Sequence, residues 1–312
     1  MPTSDAHTPT PQSIDRVPLL DIQRENAPLQ AELQAAVSDV LQSGWFVLGR
    51  NCTQLEERVA ELSGAKHAIG CASGSDALLL ALMALDIGAG DEVIVPSFTF
   101  FATASAPWRL GAKPVFVDIK PDTFNIDPAA VEAAITPATK AIIPVHLFGQ
   151  CAEMDALQTI AEKHSLALVE DAAQAIGAKY GDQPAGSMGE IGCFSFYPTK
   201  NLGGCGDGGM LTTNSDDLAD RLRRLRNHGM EPRYYHQEVG INSRLDAFQA
   251  ATLNVKLSHL PAWSHARQAN AARYDELFTS AGLGDQITLP IAARDRFHVW
   301  NQYTIRVGQG RR

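Results

Sequence analysis

The 312-residue chain lacks a long apolar run, an excess of positive charge and any cysteine spacing typical of a metal site. No run approaches the roughly 20 apolar residues that span a membrane, so we expect no membrane partner. A net charge of −9 argues against nucleic acid or an anionic membrane as a partner. The five cysteines form no CxxC pair and no disulfide framework, which predicts a reducing, cytoplasmic location. The N-terminus also lacks the charged and then apolar regions of a secretory signal.

Positive charge is concentrated in one local run, "RLRRLRNHG", from Arg221 to Gly229. Leu218, Leu222 and Leu225 recur there at helical spacing. The run therefore predicts an amphipathic helix that buries its leucines and leaves a solvated face of arginines.

Short apolar segments alternate with helical ones along most of the chain. They begin with "HAIGCA" at residue 67 and end with "GGMLTT" at residue 213, and most are separated by a segment with helical periodicity. This alternation predicts an α/β fold with a mainly parallel sheet whose two faces are covered by helices.

Composition and periodicity divide the chain into three parts. A lead-in rich in Pro, Thr and Ser covers 1–17, a large domain covers 18–258, and the start of a smaller domain covers 259–312. A helical stretch should break near Pro261. The final "VWNQYTIRVG" is typical of one strand with no sheet to join, so we expect the smaller C-terminal domain to be incomplete.

Ligands of open parallel sheets bind at the carboxyl ends of the strands, and several polar clusters of this chain fall there. "CASGSDALLLAL" places Gly74 and Ser75 at the start of a helix, where free N–H groups could hold a phosphate or where Ser or Asp could simply cap the helix. "VEDAAQAIGA" ends a strand at Asp171, which could pair with a cationic ring nitrogen or serve as a cap. "PSFTFFATA" places Phe100 and two more phenylalanines beyond a strand, for stacking on a flat cofactor or for the core.

A lysine in an unusual setting completes this series. In "CFSFYPTKNLGGCGDGG", Lys200 follows an apolar run and precedes glycines, so it lies either in an ordinary loop or where a burial-tuned amine is held for chemistry. An anion cradle, a ring stack, a carboxylate and an amine occur in that order along the chain. Together they are the groups that hold pyridoxal 5′-phosphate.

Four long motifs carry a resemblance to a known family. "ASGSDALLLALMALDIGAGDEVIVPSFTFFATASA", "VEDAAQAIGA", "FSFYPTKNLGGCGDGGM" and "GINSRLDAFQAA" resemble the DegT/StrS-type nucleotide-sugar aminotransferases, and the likeness extends from about Leu19 to the end. The resemblance implies a pyridoxal-phosphate-dependent transferase of fold type I. "RYYHQEVGINSRLDAFQAA" is most similar to enzymes that aminate UDP-3-oxo-N-acetylglucosaminuronate.

The resemblance also implies roles for the cofactor residues. Lys200 would form the Schiff base with the cofactor and act as the catalytic acid and base, while Asp171 would pair with the pyridine nitrogen. Phe100 would stack on the ring, and Gln174 would lie near its face or its hydroxyl side. The phosphate would be held by Gly74, Ser75 and Ser195.

Further residues are assigned to the partner subunit and to the substrate. Asn242 would reach the cofactor phosphate of a neighbouring subunit, which implies a homodimer with shared active sites. Arg244, two residues later, would point the same way in an extended strand and bind a substrate carboxylate, or it is a surface arginine. His298 and Tyr303 would border the sugar site. His146, which ends "KAIIPVH", is expected to be a structural histidine.

The reaction implied is ping-pong transfer of an amino group from L-glutamate to a nucleotide-linked keto sugar, UDP-3-oxo-hexuronate, for the synthesis of surface polysaccharides or related amino sugars. A dTDP-keto sugar or an inosose is an alternative acceptor. Related dehydratases carry histidine in place of the lysine, and Lys200 argues against that activity. A non-catalytic regulator or sensor of the same fold is the alternative from another class of protein.

Overall fold

The computed structural model describes residues 17–18 and 20–308. Of the predicted lead-in, residues 1–16 therefore lie outside the described residues. Among the helices described, none is both long and apolar enough to cross a membrane.

Ten α-helices are formed within the described ranges, and their ends follow local chemistry. The helix that starts at Gln30 ends at Gly44, which adopts the left-handed conformation that glycine tolerates best. The helix that follows Ser215 is capped by the Ser215 hydroxyl, which accepts a hydrogen bond from Leu218 N. The helices are α1 Ile22–Asn26, α2 Gln30–Ser43, α3 Arg50–Ser63, α4 Gly74–Ala84, α5 Ala102–Arg109, α6 Pro128–Ala134, α7 Met154–His164, α8 Asp216–Leu225, α9 Ala247–Leu257 and α10 Leu260–Ser280. Two 3₁₀ turns, Ala27–Leu29 and Leu147–Gly149, complete the set.

Seven strands form the central sheet, and five short ones lie outside it. The central strands are β1 His67–Cys71, β2 Glu92–Pro96, β3 Lys113–Val117, β4 Thr139–Ile142, β5 Ala167–Asp171, β8 Ile191–Ser195 and β9 Gly209–Thr213. The short ones are β6 Lys179–Tyr180, β7 Gln183–Pro184, β10 Ile287–Thr288, β11 Arg296–Phe297 and β12 Arg306–Val307. The spatial order is β1-β9-β8-β5-β4-β2-β3, and only β9 runs antiparallel to its neighbours. The predicted mainly parallel sheet is confirmed.

Alternate residues of the inner strands enter opposite apolar layers, as the two-residue period of a strand requires. In β2, Val93 and Val95 face one layer with α4, α5 and α8, while Ile94 faces the other layer with α3, α7 and α9. In β5, Val169 and Leu168 divide in the same way. Both faces of the sheet are therefore buried, and the strands read as continuous apolar runs rather than as alternating ones.

The arginines of α8 correct one prediction. The leucines face the core as expected, but the arginines are paired rather than freely solvated. Arg221 makes ion pairs with Asp86 at 2.6 Å and Glu238 at 3.0 Å, and Arg226 contacts Glu56 at 2.5 Å. Asp86 and Glu56 come from segments far away in sequence, so local periodicity could not reveal them.

The C-terminal region begins as predicted and then departs from the prediction. The expected helical break falls at Ser258 and His259, just before Pro261. The expectation of a lone final strand is wrong, because only Arg306–Val307 is extended and it pairs with Ile287–Thr288. Val299 N donates to Gly149 O, which attaches this segment to the loop after β4. A separate, incomplete small domain stays a prediction.

Candidate active site

A cavity of about 530 Å³ opens at the carboxyl edge of the sheet, where β2, β4, β5 and β8 end and β9 begins. Seven of the predicted site residues line it: Gly74, Ser75, Phe100, Asp171, Gln174, Ser195 and Lys200. They come from four separate segments of the chain, and the sheet brings those segments to one edge. The sheet topology therefore assembles the site that the motifs suggested.

Lys200 contributes the amine of this cavity. It follows β8 in a turn in which its backbone N–H donates to Tyr197 O at 2.9 Å. Burial lowers the pKa of its ammonium from the ordinary value of 10.5, against the smaller opposing effect of Asp171. No described residue hydrogen-bonds to its Nζ. A partly buried amine with a lowered pKa is more often neutral, which is the nucleophilic form.

Asp171 is the buried acid of the same cavity and is only 5% exposed. Its Oδ2 accepts a hydrogen bond from the Thr103 hydroxyl at 2.8 Å, and its Oδ1 accepts one from Ala173 N at 3.2 Å. Burial raises the pKa of Asp171, and the Thr103 hydrogen bond opposes that shift. Both donors are neutral, so the carboxylate has lone pairs left for a cation inside the cavity.

The first turn of α4 forms an anion cradle. The Ser73 hydroxyl caps the helix by accepting a hydrogen bond from Asp76 N at 3.1 Å. The N–H groups of Gly74 and Ser75 come before Ala77, whose N–H makes the first intrahelical hydrogen bond to Ser73 O, so they stay available to a ligand. A Cβ on Gly74 would lie 2.6 Å from Ser195 Cβ, so glycine is required for the approach of the two segments.

Gln174 and Phe100 form the walls of the cavity. Gln174 Oε1 accepts a hydrogen bond from Phe148 N at 2.6 Å, which fixes its amide beside the cavity. Phe100 is 74% exposed, which is unusual for so large an apolar side chain. An exposed ring at a cavity wall is available to cover a flat ligand.

His146 is a structural histidine, as predicted. It is fully buried, and its Nδ1 accepts a hydrogen bond from Ala152 N, so its proton lies on Nε2, 2.9 Å from Glu170 Oε2. Glu170 also accepts hydrogen bonds from the backbone N–H groups of Gly186, Met188 and Gly189. The pair holds the loop before β8 behind the cavity and leaves the cavity to Asp171.

Four other predicted residues do not line this cavity: Asn242, Arg244, His298 and Tyr303. Asn242 is exposed, and an Arg244 guanidinium nitrogen donates to Asn227 Oδ1 at 2.9 Å.

His298 and Tyr303 have partners of their own in the C-terminal region. Burial lowers the pKa of His298 to about 4, and His298 Nδ1 accepts a hydrogen bond from Trp300 N at 3.0 Å. The Tyr303 hydroxyl donates to Asp275 Oδ1 at 2.5 Å. The substrate roles of Arg244, His298 and Tyr303 stay predictions.

The sequence motifs also contained lining residues that were not singled out. Thr103, buried behind the lining and bonded to Asp171, lies one turn beyond Phe100, a spacing that could have suggested contact with the same site. The lining residues overlooked are Ser73, Leu78, Thr99, Ala102, Val145, Leu147, Ala173, Tyr197, Thr199, Asp207 and Gly208. Six of these eleven residues lie within two positions of a predicted site residue, so proximity along the chain was the available signal for them.

These features fit pyridoxal 5′-phosphate. The cavity contains an amine with a lowered pKa, a buried acid with neutral partners, free helix N–H groups and an exposed aromatic ring. These groups match the aldehyde, ring nitrogen, phosphate and ring face of that cofactor.

Comparison with known sequences points the same way. The sequence model described as the DegT/DnrJ/EryC1/StrS aminotransferase family matches residues 28–312. A pleiotropic regulatory protein of Geobacillus stearothermophilus is 53% identical, with 93% of this chain and 78% of the relative covered. A UDP-N-acetyl-3-dehydro-α-D-glucosamine 3-aminotransferase of Acidithiobacillus ferrooxidans is 48% identical, with 93% and 78% covered. A UDP-2-acetamido-2-deoxy-3-oxo-D-glucuronate aminotransferase of Pseudomonas aeruginosa is 45% identical, with 93% and 80% covered.

Solved structures agree with these sequence relatives. DesV of S. venezuelae superimposes with a TM-score of 0.90 at 47% identity, over 95% of this chain and 79% of that one. NtdA of Bacillus subtilis, solved with bound cofactor PMP, gives a TM-score of 0.87 at 33% identity, over 96% of this chain and 68% of that one.

Proposed function

The chain belongs to the DegT/DnrJ/EryC1/StrS aminotransferase family, and on that premise we propose that it transfers an amino group from L-glutamate to the keto group of a UDP-linked 3-oxo-hexuronate. It is a sugar aminotransferase that uses pyridoxal 5′-phosphate. One observation carries the proposal: Lys200, whose pKa burial lowers, shares one cavity with Asp171, Phe100 and the first turn of α4.

The chain's own residues divide the work of holding the cofactor. The N–H groups of Gly74 and Ser75, with the Ser195 hydroxyl, would bind the phosphate. Asp171 would pair with the ring nitrogen, and Phe100 would cover one ring face while Gln174 lies beside it. When bound, the cofactor supplies an aldehyde that condenses with amines and a cationic ring that accepts the electron pair of a broken C–H bond.

Lys200 would then move the proton. Its lowered pKa leaves a larger fraction of Nζ unprotonated, so Nζ can accept a proton from the α-carbon of bound glutamate. The protonated Nζ could then donate that proton to the former aldehyde carbon of the cofactor, which is the carbon that keeps the amino group. In the second half of the reaction the same amine acts in the reverse order, on the keto sugar.

A second subunit would complete the site. Asn242 is exposed, Arg244 lies close to it, and neither lines the cavity of its own chain. We therefore propose a homodimer in which Asn242 reaches the phosphate site of the partner subunit. In such a dimer, Arg244 would bind the sugar carboxylate as a bidentate pair, which requires that it exchange Asn227 for the substrate. The free cysteines are in keeping with the cytoplasm as its location.

A regulatory protein of the same fold is the second candidate, because a relative that is 53% identical is named as a pleiotropic regulatory protein. The cavity and its amine favour catalysis over this candidate. A regulator without activity would have no need of an amine whose pKa is lowered by burial.

The proposal is tested with Lys200→Ala in the full chain. We expect the variant to lose cofactor absorbance in the visible range and all transfer from glutamate, because no other amine of the described residues lines the cavity. Lys163→Ala is the matched control, since Lys163 is an exposed lysine paired with Glu132 on the surface. Turnover in the Lys200 variant would contradict the mechanism. A wild-type protein that binds the cofactor but transfers nothing to any keto sugar would favour the regulator.

The substrate is tested with Arg244→Ala on two acceptors. We expect the variant to lose activity on the UDP-linked oxo-uronate by about 100-fold or more, since a charged bidentate pair is lost. Activity on a neutral UDP- or dTDP-linked oxo sugar should change little. Arg273→Ala is the control, because Arg273 is exposed and pairs only with Glu276 one turn away. Equal losses on both acceptors would rule out the carboxylate role.

A further inference from the structure

Two threonine hydroxyls stand in series behind the buried acid of the cavity. Thr103 Oγ1 donates to Asp171 Oδ2 at 2.8 Å and lies 2.9 Å from Thr99 Oγ1. Because Thr103 has one hydroxyl proton and gives it to Asp171, Thr99 must donate to Thr103. Thr103 is fully buried, whereas Thr99 lines the cavity. The hydroxyl chain therefore runs from the cavity wall to the carboxylate.

We propose that Thr103 is a positioning residue for the cofactor: its hydroxyl, by donating to Oδ2, orients the Asp171 carboxylate toward the ring nitrogen. The inference rests on the proposed function, since it takes Asp171 as the partner of that nitrogen. Thr103 itself would touch neither cofactor nor substrate, because it lies behind the carboxylate.

The surroundings of Asp171 support this role. The Thr103 hydroxyl is the largest of the effects that lower the pKa of Asp171, and it opposes the burial that raises it. The other titratable groups that face Asp171 are Lys200 from the loop after β8, His146 from the loop after β4 and Cys193 from β8. Of these groups and Thr103, only Thr103 hydrogen-bonds to the carboxylate through its side chain. Without the Thr103 hydroxyl, Ala173 N would be the one donor left to the Asp171 carboxylate among the described residues.

Removing the Thr103 hydroxyl should weaken cofactor binding and shift the pH midpoint of the cofactor's visible absorbance. Without it, Asp171 becomes more basic and draws the proton away from the ring nitrogen. A ring without that proton withdraws less electron density, so protonation of the nitrogen joined to Lys200 becomes easier and the pH midpoint of the visible absorbance rises. A threonine that only filled space would affect folding and leave this midpoint unchanged.

The experiment titrates pyridoxal 5′-phosphate into the cofactor-free full chain and then follows its visible absorbance against pH. For Thr103→Val we expect about tenfold weaker binding and a midpoint raised by about one pH unit. Thr103→Ser keeps the hydroxyl and should restore both values. Thr252→Val is the matched control, because Thr252 is a buried helical threonine whose hydroxyl bonds only to Gln249 O.

Several outcomes separate this inference from the proposed function. An unchanged midpoint in Thr103→Val, or a Thr103→Ser variant that behaves like Thr103→Val, overturns the positioning role. If Thr103→Val does not fold, Thr99→Val tests the same chain of hydroxyls one step away, and it should raise the midpoint by a smaller amount; no rise would overturn the inference. A wild-type chain that binds no cofactor would instead overturn the proposed function.

Discussion

Replacing Asp171 by asparagine should stabilise the cofactor-free protein and weaken its binding of the cofactor. The carboxylate is buried, and its two hydrogen-bond donors, Thr103 and Ala173, are both neutral. Desolvation raises its pKa from the ordinary value of 3.8, so ionised Asp171 costs folding free energy until a cation pairs with it. Asparagine is close in shape and carries no charge, and the Thr103 hydroxyl can turn to accept from its amide.

The sign of the pH dependence follows from the raised pKa. Between 3.8 and that raised value, folded Asp171 binds more protons than unfolded Asp171, so the stability of the cofactor-free wild type falls as pH rises through this window. Above the window the asparagine variant should be the more stable, by on the order of 1 kcal/mol or about 2 °C in Tm. Loss of a hydrogen bond between charged groups, about 1.5–3 kcal/mol, should weaken cofactor binding by about 10- to 100-fold.

Thermal unfolding of the cofactor-free proteins from pH 4 to 8 (roughly the range in which carboxyl groups and histidine titrate) measures the first effect, and cofactor titration measures the second. Asp217→Asn is the control, since Asp217 is an exposed aspartate on α8. A variant less stable than the wild type at every pH would refute the desolvation argument. A variant with unchanged cofactor affinity would refute the pairing with the ring nitrogen.

Two further predictions concern Gly74 in the cavity lining and Glu170 behind it. Gly74→Ala would put a Cβ 2.6 Å from Ser195 Cβ, so we expect the unfolding free energy to fall by about 1–3 kcal/mol and cofactor binding to weaken. Gly88→Ala is the control and should cost little, because no atom lies within 4 Å of the added Cβ. Denaturant unfolding of both variants measures the difference. Glu170→Gln would turn an amide toward backbone donors such as Met188 N and should cost about 1–3 kcal/mol. Burial would raise the pKa of Glu170, but the hydrogen bonds from His146 and the backbone outweigh it and lower that pKa. The carboxylate therefore stabilises the fold above pH 4.5, and this stabilisation is lost as the pH falls through the lowered pKa. A Glu170→Gln variant with the same acid unfolding midpoint as the wild type would contradict this.

Several features of the site could be predicted because each depends on residues that are neighbours in the sequence. Lys200 stood out by its neighbours, and Gly74 and Ser75 stood out as small residues between a strand and a helix. The carboxyl-edge rule then placed these segments together without any knowledge of their contacts. In the structure, seven of the predicted residues line one cavity.

Other features depend on partners that are distant in sequence. Thr103 bonds to Asp171 across 68 positions, and Arg221 reaches Asp86 across 135. Arg244 is predicted to bind a substrate carboxylate or to be a surface arginine, and it contacts Asn227 within its own chain. His298 is predicted to border the sugar site, and it is buried against Trp300. No local sequence pattern predicts these contacts, because each one depends on which side chain the fold places next to the residue.

The sequence by itself determined the helices, the strands and the chemical groups available to the site, because periodicity, caps and turns act over a few neighbouring residues. The tertiary structure alone decided which groups meet and in which protonation state. Desolvation of Asp171 and Lys200 exists only when the sheet and its helices exclude water from both. The carboxylate therefore becomes a partner for a cation, and the amine a nucleophile, through packing rather than through composition.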